Sequence, residues 1–179
     1  GCGGSKKKVA PKSEAKVDAT PKTEPEVEAK KPAPPKSAPT KLIADPIVEK
    51  GIRETLRKPT GKLIKADLAK VTGHGDHWGL RLDYTKITDT GLKEVTKLQN
   101  LTKLNLWGTD ITDVGLKEVA KLQKLNTLYL ALTDITDAGL KEVAKLQQLT
   151  YLNLAKVKVT DAGVAELKKA LPNCDIYGP

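Results

Sequence analysis

The feature that most constrains the fold is a motif that recurs every 24 residues through the second half of the chain. Its leucines are Leu80, Leu104, Leu128 and Leu152, and its aspartates are Asp89, Asp113, Asp137 and Asp161. Self-similarity at a fixed spacing is typical of solenoids, in which each repeated unit contacts only its neighbours. We therefore expect equivalent residues of successive units to lie side by side.

Within one unit the spacing of apolar residues changes from two to three. The spacing is two between Leu104 and Leu106, and three along Leu116, Val119 and Leu122. Alternate spacing is typical of a strand, and a spacing of three or four is typical of a helix. The unit is therefore predicted to be a short strand followed by a short helix. Such a small unit cannot cover its own apolar side, so stacking must close the core.

Polar and small residues are predicted to shape the turns of each unit. Either Thr112 or Asp113 can cap the helix by accepting a hydrogen bond from its free N–H groups. Gly115 precedes the first inward leucine of the helix, where a glycine leaves room for two layers to approach closely.

The unit resembles the leucine-rich-repeat family, whose signature is Leu-x-x-Leu-x-Leu-x-x-Asn/Cys-x-Leu. Thr109 and Thr133 occupy the Asn/Cys position and can bond the turn backbone, whereas Val157 cannot. The segment Ile-Thr-Asp-x-Gly-Leu-Lys-Glu-Val is similar to the cysteine-containing subclass and to repeats in envelope proteins of planctomycete-type bacteria. The resemblance covers about residues 74–177. It implies an α/β solenoid, a short horseshoe with parallel strands on its concave face and helices on its convex face.

The start of the folded part is predicted to be a cap. Asp45-Pro46, followed by Val48, Ile52 and Leu56, indicates an amphipathic helix with proline at its first position. Residues 64–71 repeat the helical part of the later units in degenerate form. We therefore expect a leucine-rich-repeat domain over residues 42–179, with the cap at 42–61 and the repeats and closing strand at 62–177.

The remaining residues, 1–41, are predicted to be a disordered tail. They hold seven of the eleven prolines and no Phe, Trp, Tyr, Leu or Ile, so they cannot bury enough apolar surface to offset their ordering entropy. Ten lysines and five acids give the tail a net charge of +5, against +4 for residues 42–179. This balance favours weak attraction to anionic surfaces. No stretch approaches the ~20 apolar residues of a membrane span, so the folded part is expected to be soluble.

Gly1-Cys2 resembles the end of a bacterial lipobox, where the cysteine becomes the lipidated first residue. This resemblance implies lipidation of Cys2, a tail that acts as a spacer, and a lipoprotein anchored in the bacterial cell envelope; a cloning remnant is the alternative. Two cysteines are too few for a disulfide framework. Cys174 is expected to be a small buried filler.

Since the family's strands line a concave sheet, the residues between the leucines are expected to face a partner. Eight of them are our predicted contact residues, here called the concave strip: Arg81, Lys103, Asn105, Trp107, Thr127, Tyr129, Tyr151 and Asn153. Exposed amphipathic rings beside polar groups are typical of interface hot spots. The alternative is that the rings only pack on one another across the strands.

Other chemistry finds little support in the sequence. His74 and His77, with Asp76, are the only candidate metal ligands, and a glycine-rich irregular turn explains them more simply. No catalytic triad, phosphate loop or dinucleotide motif is present, so we expect neither an enzyme nor a cofactor. The mixed charge of the concave strip disfavours nucleic acid. The expected function is protein binding from the cell envelope, and the alternative is a structural subunit of a larger envelope assembly.

Overall fold

The computed structural model describes residues 41–73 and 78–178. Two helices come first, and strands and helices then alternate. In chain order the elements are α1 Pro46–Thr55, α2 Lys65–Leu68, β1 Leu80–Arg81, α3 Asp89–Val95, β2 Lys103–Asn105, α4 Asp113–Val119, β3 Thr127–Tyr129, α5 Asp137–Val143, β4 Tyr151–Asn153, α6 Asp161–Ala170 and β5 Asp175–Tyr177.

The strands form one parallel sheet in the order β1-β2-β3-β4-β5. Leu104 of β2 pairs with Leu80 of β1 and with Leu128 of β3, so neighbouring strands are offset by one 24-residue unit. Each coil also bonds the next one beyond the strand, as where the Leu106 N–H donates to the Tyr129 carbonyl over 3.0 Å. The predicted α/β solenoid is confirmed.

The core is a set of leucine, isoleucine and valine rows between the sheet and the helices. In one coil the core residues Leu104, Leu106, Ile111, Leu116, Val119, Leu122 and Leu125 are all 2% exposed or less. Residues of neighbouring coils belong to the same continuous cluster. Burial of this kind contributes roughly 1.5–3 kcal/mol per large aliphatic side chain, so coil stacking is the main source of stability.

The threonine before each repeat helix is its cap. Thr136 Oγ1 accepts a hydrogen bond from the Ala138 N–H at 3.2 Å, and Thr112 does the same for Val114 at 3.3 Å. This result decides between the two predicted caps in favour of threonine. The aspartate at the first helical position therefore does not cap its own helix.

That aspartate binds the threonine of the next coil. Asp113 accepts hydrogen bonds from the Thr136 N–H at 2.9 Å and the Thr136 hydroxyl at 2.6 Å. Asp89 holds Thr112, and Asp137 holds Thr160, in the same way. The hydrogen bonds from Thr160 hold the pKa of Asp137 below its usual value. Because that pKa is lowered by folding, its contribution to stability is present above the aspartate range and is lost as the pH falls through it.

The helix glycines make room for these carboxylates. A Cβ at Gly139 would collide with Asp113 Oδ1, and one at Gly115 would collide with Asp89 Oδ1. The predicted close approach is therefore an approach of a carboxylate from the preceding coil. Aspartate, threonine and glycine act together as one repeated contact.

The residues at the family's Asn/Cys position behave as their chemistry predicts. The buried Thr109 hydroxyl donates to the Leu106 carbonyl at 2.7 Å, and Thr133 donates to Leu130 at 2.6 Å. Val157 has no hydroxyl, and the Leu154 carbonyl accepts from the Val157 N–H at 3.2 Å instead.

Helix α1 covers β1, the first strand of the sheet. Asp45 caps it by accepting from the N–H groups of Ile47 and Val48. A Cβ at Gly51 would lie 3.0 Å from Leu82, and the Thr55 hydroxyl donates to the Gly79 carbonyl at 2.9 Å. The helix therefore lies directly against the first coil.

The other end of the sheet is β5. Cys174, just before it, is a free thiol. It packs against the core as expected, but it is only partly buried. Burial raises its pKa to about 11. None of the helices in residues 41–73 and 78–178 is long and apolar enough to cross a membrane. Residues 1–40 lie outside the described part, so the tail and its boundary at residue 41 stay predictions.

Replacing Leu128 with alanine should lower the free energy of unfolding by about 2–5 kcal/mol, because it opens a cavity between two coils. Trp107→Ala should cost about 1 kcal/mol or less, since the ring lies at the surface. Urea denaturation of both variants checks this expectation. Equal losses would show that the buried and exposed faces are assigned wrongly.

Asp113→Ala should lower the free energy of unfolding by about 1–2 kcal/mol, because two bonds to the next coil are lost. Asp110→Ala is the matched control, since Asp110 makes only a well-exposed ion pair with Lys86 at 3.3 Å. The control should change the stability by about 0.5 kcal/mol or less. If the two variants unfold alike, the contact between coils contributes nothing.

Candidate functional site

The concave strip is built by the register of the sheet. One row places Arg81, Asn105, Tyr129 and Asn153 at paired positions of β1 to β4, and a second places Lys103, Thr127 and Tyr151 at paired positions of β2 to β4. Neighbouring strands lie ~4.8 Å apart, so paired side chains are within reach of one another. The structure therefore gathers seven of the eight predicted residues into two rows, with Trp107 just beyond the end of β2.

Three rings form an aromatic cluster on the strip. The centroids of Tyr129 and Tyr151 are 5.4 Å apart, and those of Trp78 and Tyr129 are 6.4 Å apart. Both pairs are tilted, a favourable arrangement of aromatic quadrupoles. Trp78 remains 61% exposed although it contacts Tyr129. The cluster thus offers a partner a large apolar surface.

Sequence reasoning missed Trp78, because it precedes β1 in an irregular segment outside the leucine pattern. Its neighbour Gly79 fixes that segment, with φ at +71° and its Cα against Lys103. Any side chain at position 79 would collide with the Lys103 carbonyl. The chain therefore turns closely over β2 here, and Trp78 reaches across to β3.

Trp107 pairs with a different ring. Its centroid is 6.0 Å from that of Tyr84, which is 68% exposed. Tyr84 has a left-handed backbone with φ at 54°, and Gly108, at the same position one unit later, has φ at 64°. The glycine was a signal that this turn needs such a conformation, but it does not reveal the ring at position 84. Trp107 thus belongs to a second exposed aromatic pair.

Arg81 is held by a carboxylate on its own strand end. Its Nε and Nη2 donate to Asp83 at 3.1 and 2.9 Å. These bonds from Arg81 hold the pKa of Asp83 below its usual value. The guanidinium side chain is still 62% exposed. The pair can therefore present the guanidinium to a partner, whereas the Asp83 side chain is only 16% exposed.

The two asparagines of the strip differ. Oδ1 of Asn105 accepts from the Trp107 N–H at 3.0 Å, and the side chain is half-buried. Oδ1 of Asn153 accepts from the Ala155 N–H at 3.0 Å, but this residue is only 9% exposed. Its prediction as an open contact residue is corrected: the amide serves the turn after β4.

Lys103 and Thr127 flank the rings. The Thr127 hydroxyl donates to Asn126 Oδ1 at 2.9 Å, and both strip residues are half-buried. Lys103 makes no salt bridge within the described ranges. Among the described residues its ammonium group therefore has no carboxylate partner.

The remaining predicted sites cannot be placed. Cys2, His74 and His77 lie outside the described residues, so lipidation and metal binding stay predictions. Within residues 41–73 and 78–178, no group of three His, Cys, Asp or Glu residues could hold a metal ion.

Comparison with known families identifies the repeat. Residues 97–120 and 121–144 each match the family described as Leucine Rich repeat, and each segment is one unit of the period. An internalin (inlF) from Listeria monocytogenes has a similar solved structure, with 26% identity and a TM-score of 0.54. The chain is a leucine-rich-repeat protein.

Other comparisons define how far the likeness extends. The internalin match covers 72% of this leucine-rich-repeat protein but 35% of the internalin. An internalin C2 from the same organism, at 24% identity and a TM-score of 0.52, covers 76% of this chain and 64% of its own. That second match supports the fold alone. The chain thus spans about a third of the length of the first internalin and somewhat under two thirds of the length of the second. No curated protein matches it.

Burial under its neighbours, and then the nearby Tyr151, raises the pKa of Tyr129 above its usual value. Trp78→Ala should therefore lower that pKa towards the ordinary tyrosine value, because water gains access to the ring. The pH dependence of the Tyr129 ring carbon resonances measures this shift, with the exposed Tyr177 as an internal control. An unchanged Tyr129 pKa would show that Trp78 does not cover this ring in solution.

Proposed function

We propose that this leucine-rich-repeat protein is a non-catalytic module that binds another protein through its concave strip. Leucine-rich repeats generally serve as protein-interaction modules. The observation that carries the proposal is the aromatic cluster, in which Trp78, Tyr129 and Tyr151 lie together on the sheet with Trp78 largely exposed.

The rings meet the requirements of a hot spot better than those of a core. Tyr129 and Tyr151 do pack on each other, as the structural alternative expected. Packing alone does not require a tryptophan that is 61% exposed. Large exposed rings with a polar end supply contact area at low entropic cost, which is why they dominate interface energetics.

The polar groups around the cluster suit a protein partner. Arg81 presents an exposed guanidinium beside the largely buried Asp83, and Lys103 adds a cation that has no salt bridge within residues 41–73 and 78–178. A nucleic acid would favour a stripe of one sign. Mixed charges around an apolar centre are typical of the rim of a protein–protein interface.

The proposal also includes display from the bacterial cell envelope. It is supported by Gly1-Cys2 and by the lysine- and proline-rich composition of residues 1–41. A lipidated Cys2 would fix the protein to a membrane, and the tail would act as a spacer. Intact-mass measurement of protein from its native envelope should show diacylglycerol on Cys2. An unmodified thiol there would exclude this anchor while leaving the binding proposal untouched.

Crosslinking and pull-down from native membranes, followed by purification of the recovered protein, would supply the partner for affinity measurements. Trp78→Ala and Tyr129→Ala should each weaken binding by ~2 kcal/mol or more, about 30-fold in Kd, without unfolding the domain. Val114→Ala is the control, since Val114 is an exposed apolar residue on helix α4 rather than on the sheet.

Equal affinity for all three variants would contradict binding at the aromatic cluster. Recovery of the chain only within a large stable assembly, with unchanged assembly in Trp78→Ala, would favour the alternative of a structural envelope subunit.

A further inference from the structure

The positive charge of the domain is concentrated in residues 42–73, which include the cap and the degenerate first helix. Residues 42–73 contain seven bases and four acids, a net charge of +3, whereas the whole of residues 42–179 carries +4 from twenty-one bases and seventeen acids. The repeats that follow are therefore almost neutral. A local excess of this kind creates a field that a neutral surface lacks.

An open apolar surface lies within this charged region. Two adjoining hollows share Lys41, Leu42 and Lys65 in their linings. Ile64 and Lys62 line the first hollow, and Ala69 lines the second. We call these residues, Lys41, Leu42, Lys62, Ile64, Lys65 and Ala69, the cap surface. It shares no residue with the concave strip.

The acids near the cap surface are already engaged. Glu49 pairs with Lys41 and, at 2.8 Å, with Arg53. Asp67 pairs with Lys58 at 2.8 Å. By contrast, Lys62 and Lys65 make no salt bridge within residues 41–73 and 78–178, and both are exposed. Their charges are therefore free to meet an anion.

Two residues of the cap surface depart from the repeat at a cost to folding. Ile64 and Lys65 lie 24 residues before Thr88 and Asp89, which in the later coils are the capping threonine and the bridging aspartate. Ile64 is the N-cap of α2, gives no side-chain cap and is 51% exposed. Isoleucine is among the poorest N-caps, and a lysine at the first helical position opposes the helix dipole.

A terminal repeat is expected to become more polar on its outer face, since that face meets water. Here the sequence has an exposed isoleucine where the later helices have a capping threonine, and a lysine at the first helical position, while Asp45 supplies the carboxylate that meets Gly91. The isoleucine and the lysine both oppose the local stability of α2, so they indicate that this surface has another role. An apolar residue encircled by cations is suited to an amphiphilic, anionic partner.

We propose that the cap surface docks onto an anionic lipid bilayer, with Lys62 and Lys65 at the headgroup phosphates and Ile64 at the level of the acyl boundary. Lysines on flexible stems around one aliphatic side chain suit a fluid surface. A folded acidic protein would more often be met by arginine forks in a walled site. This contact is separate from lipidation of Cys2, and it leaves the concave strip open to a protein partner.

The test uses the full, unlipidated chain and its co-sedimentation with vesicles of phosphatidylglycerol and phosphatidylcholine, against vesicles of phosphatidylcholine alone. The double variant Lys62→Gln/Lys65→Gln should lower the partition coefficient on the anionic vesicles roughly 10- to 30-fold. The control Lys117→Gln/Lys141→Gln removes two exposed lysines from α4 and α5, so its net charge equals that of the test variant. Its partition coefficient on the anionic vesicles should fall about three-fold or less.

Ile64→Thr restores the residue of the later coils and gives a second readout. It should raise the Tm by restoring a cap, yet weaken anionic vesicle binding about three-fold or more. These opposite directions separate lipid contact from a merely degenerate first coil.

Equal losses in the two lysine variants would overturn the proposal, because diffuse charge would then explain binding. So would wild-type protein that prefers neither vesicle, or Ile64→Thr with undiminished binding. Each of these results leaves partner binding by the concave strip unaffected.

Discussion

Each strand–helix coil of this protein has an apolar side that it cannot cover alone, and burial of leucine rows between adjacent coils is the interaction on which the structure depends. The rows of β2 and β3 are 2% exposed or less. Because stacking fixes the register, the aspartate of one coil meets the threonine and glycine of the next. Polar contacts between coils thus follow from the apolar packing and then lock it.

The same register creates the surface available for function. Side chains that alternate with the buried leucines face outward in parallel rows, so the positions of Tyr129 and Tyr151 are consequences of the core. Trp78 joins them through a glycine-dependent turn outside the pattern. The regular part of the fold therefore supplies a platform, and the irregular first coil supplies the most exposed ring of the aromatic cluster.

The fold could be predicted because periodicity encodes burial directly. Leu104 is followed by Leu106 at a spacing of two, whereas Leu116 is followed by Val119 at a spacing of three. This difference predicts a strand and then a helix. The roles of Thr112 and Asp113 could not be separated in this way, since a cap and a bridge to the next coil need the same residue types. Trp78 escaped prediction for another reason: irregular turns carry no period.

The burial of Asn153 shows a further limit of prediction from the strand pattern. Its position faces outward in the alternating strand pattern, yet its amide bonds the following turn and is buried. Asn105 makes the equivalent bond to the Trp107 N–H and stays half-buried, so packing by neighbouring residues decides how much of such a side chain remains exposed. Exposed and occupied polar groups must therefore be distinguished in the structure itself.

Native-state hydrogen exchange of the backbone amides of Leu106, Leu130 and Leu154 tests the stacking of coils most directly. Each amide bonds a carbonyl of the following coil, at 3.0, 2.9 and 2.7 Å respectively. If the leucine rows bury one another, these amides should exchange slowly and with free energies close to that of global unfolding. Rapid exchange, or opening of one coil at a far lower free energy than its neighbours, would contradict the account.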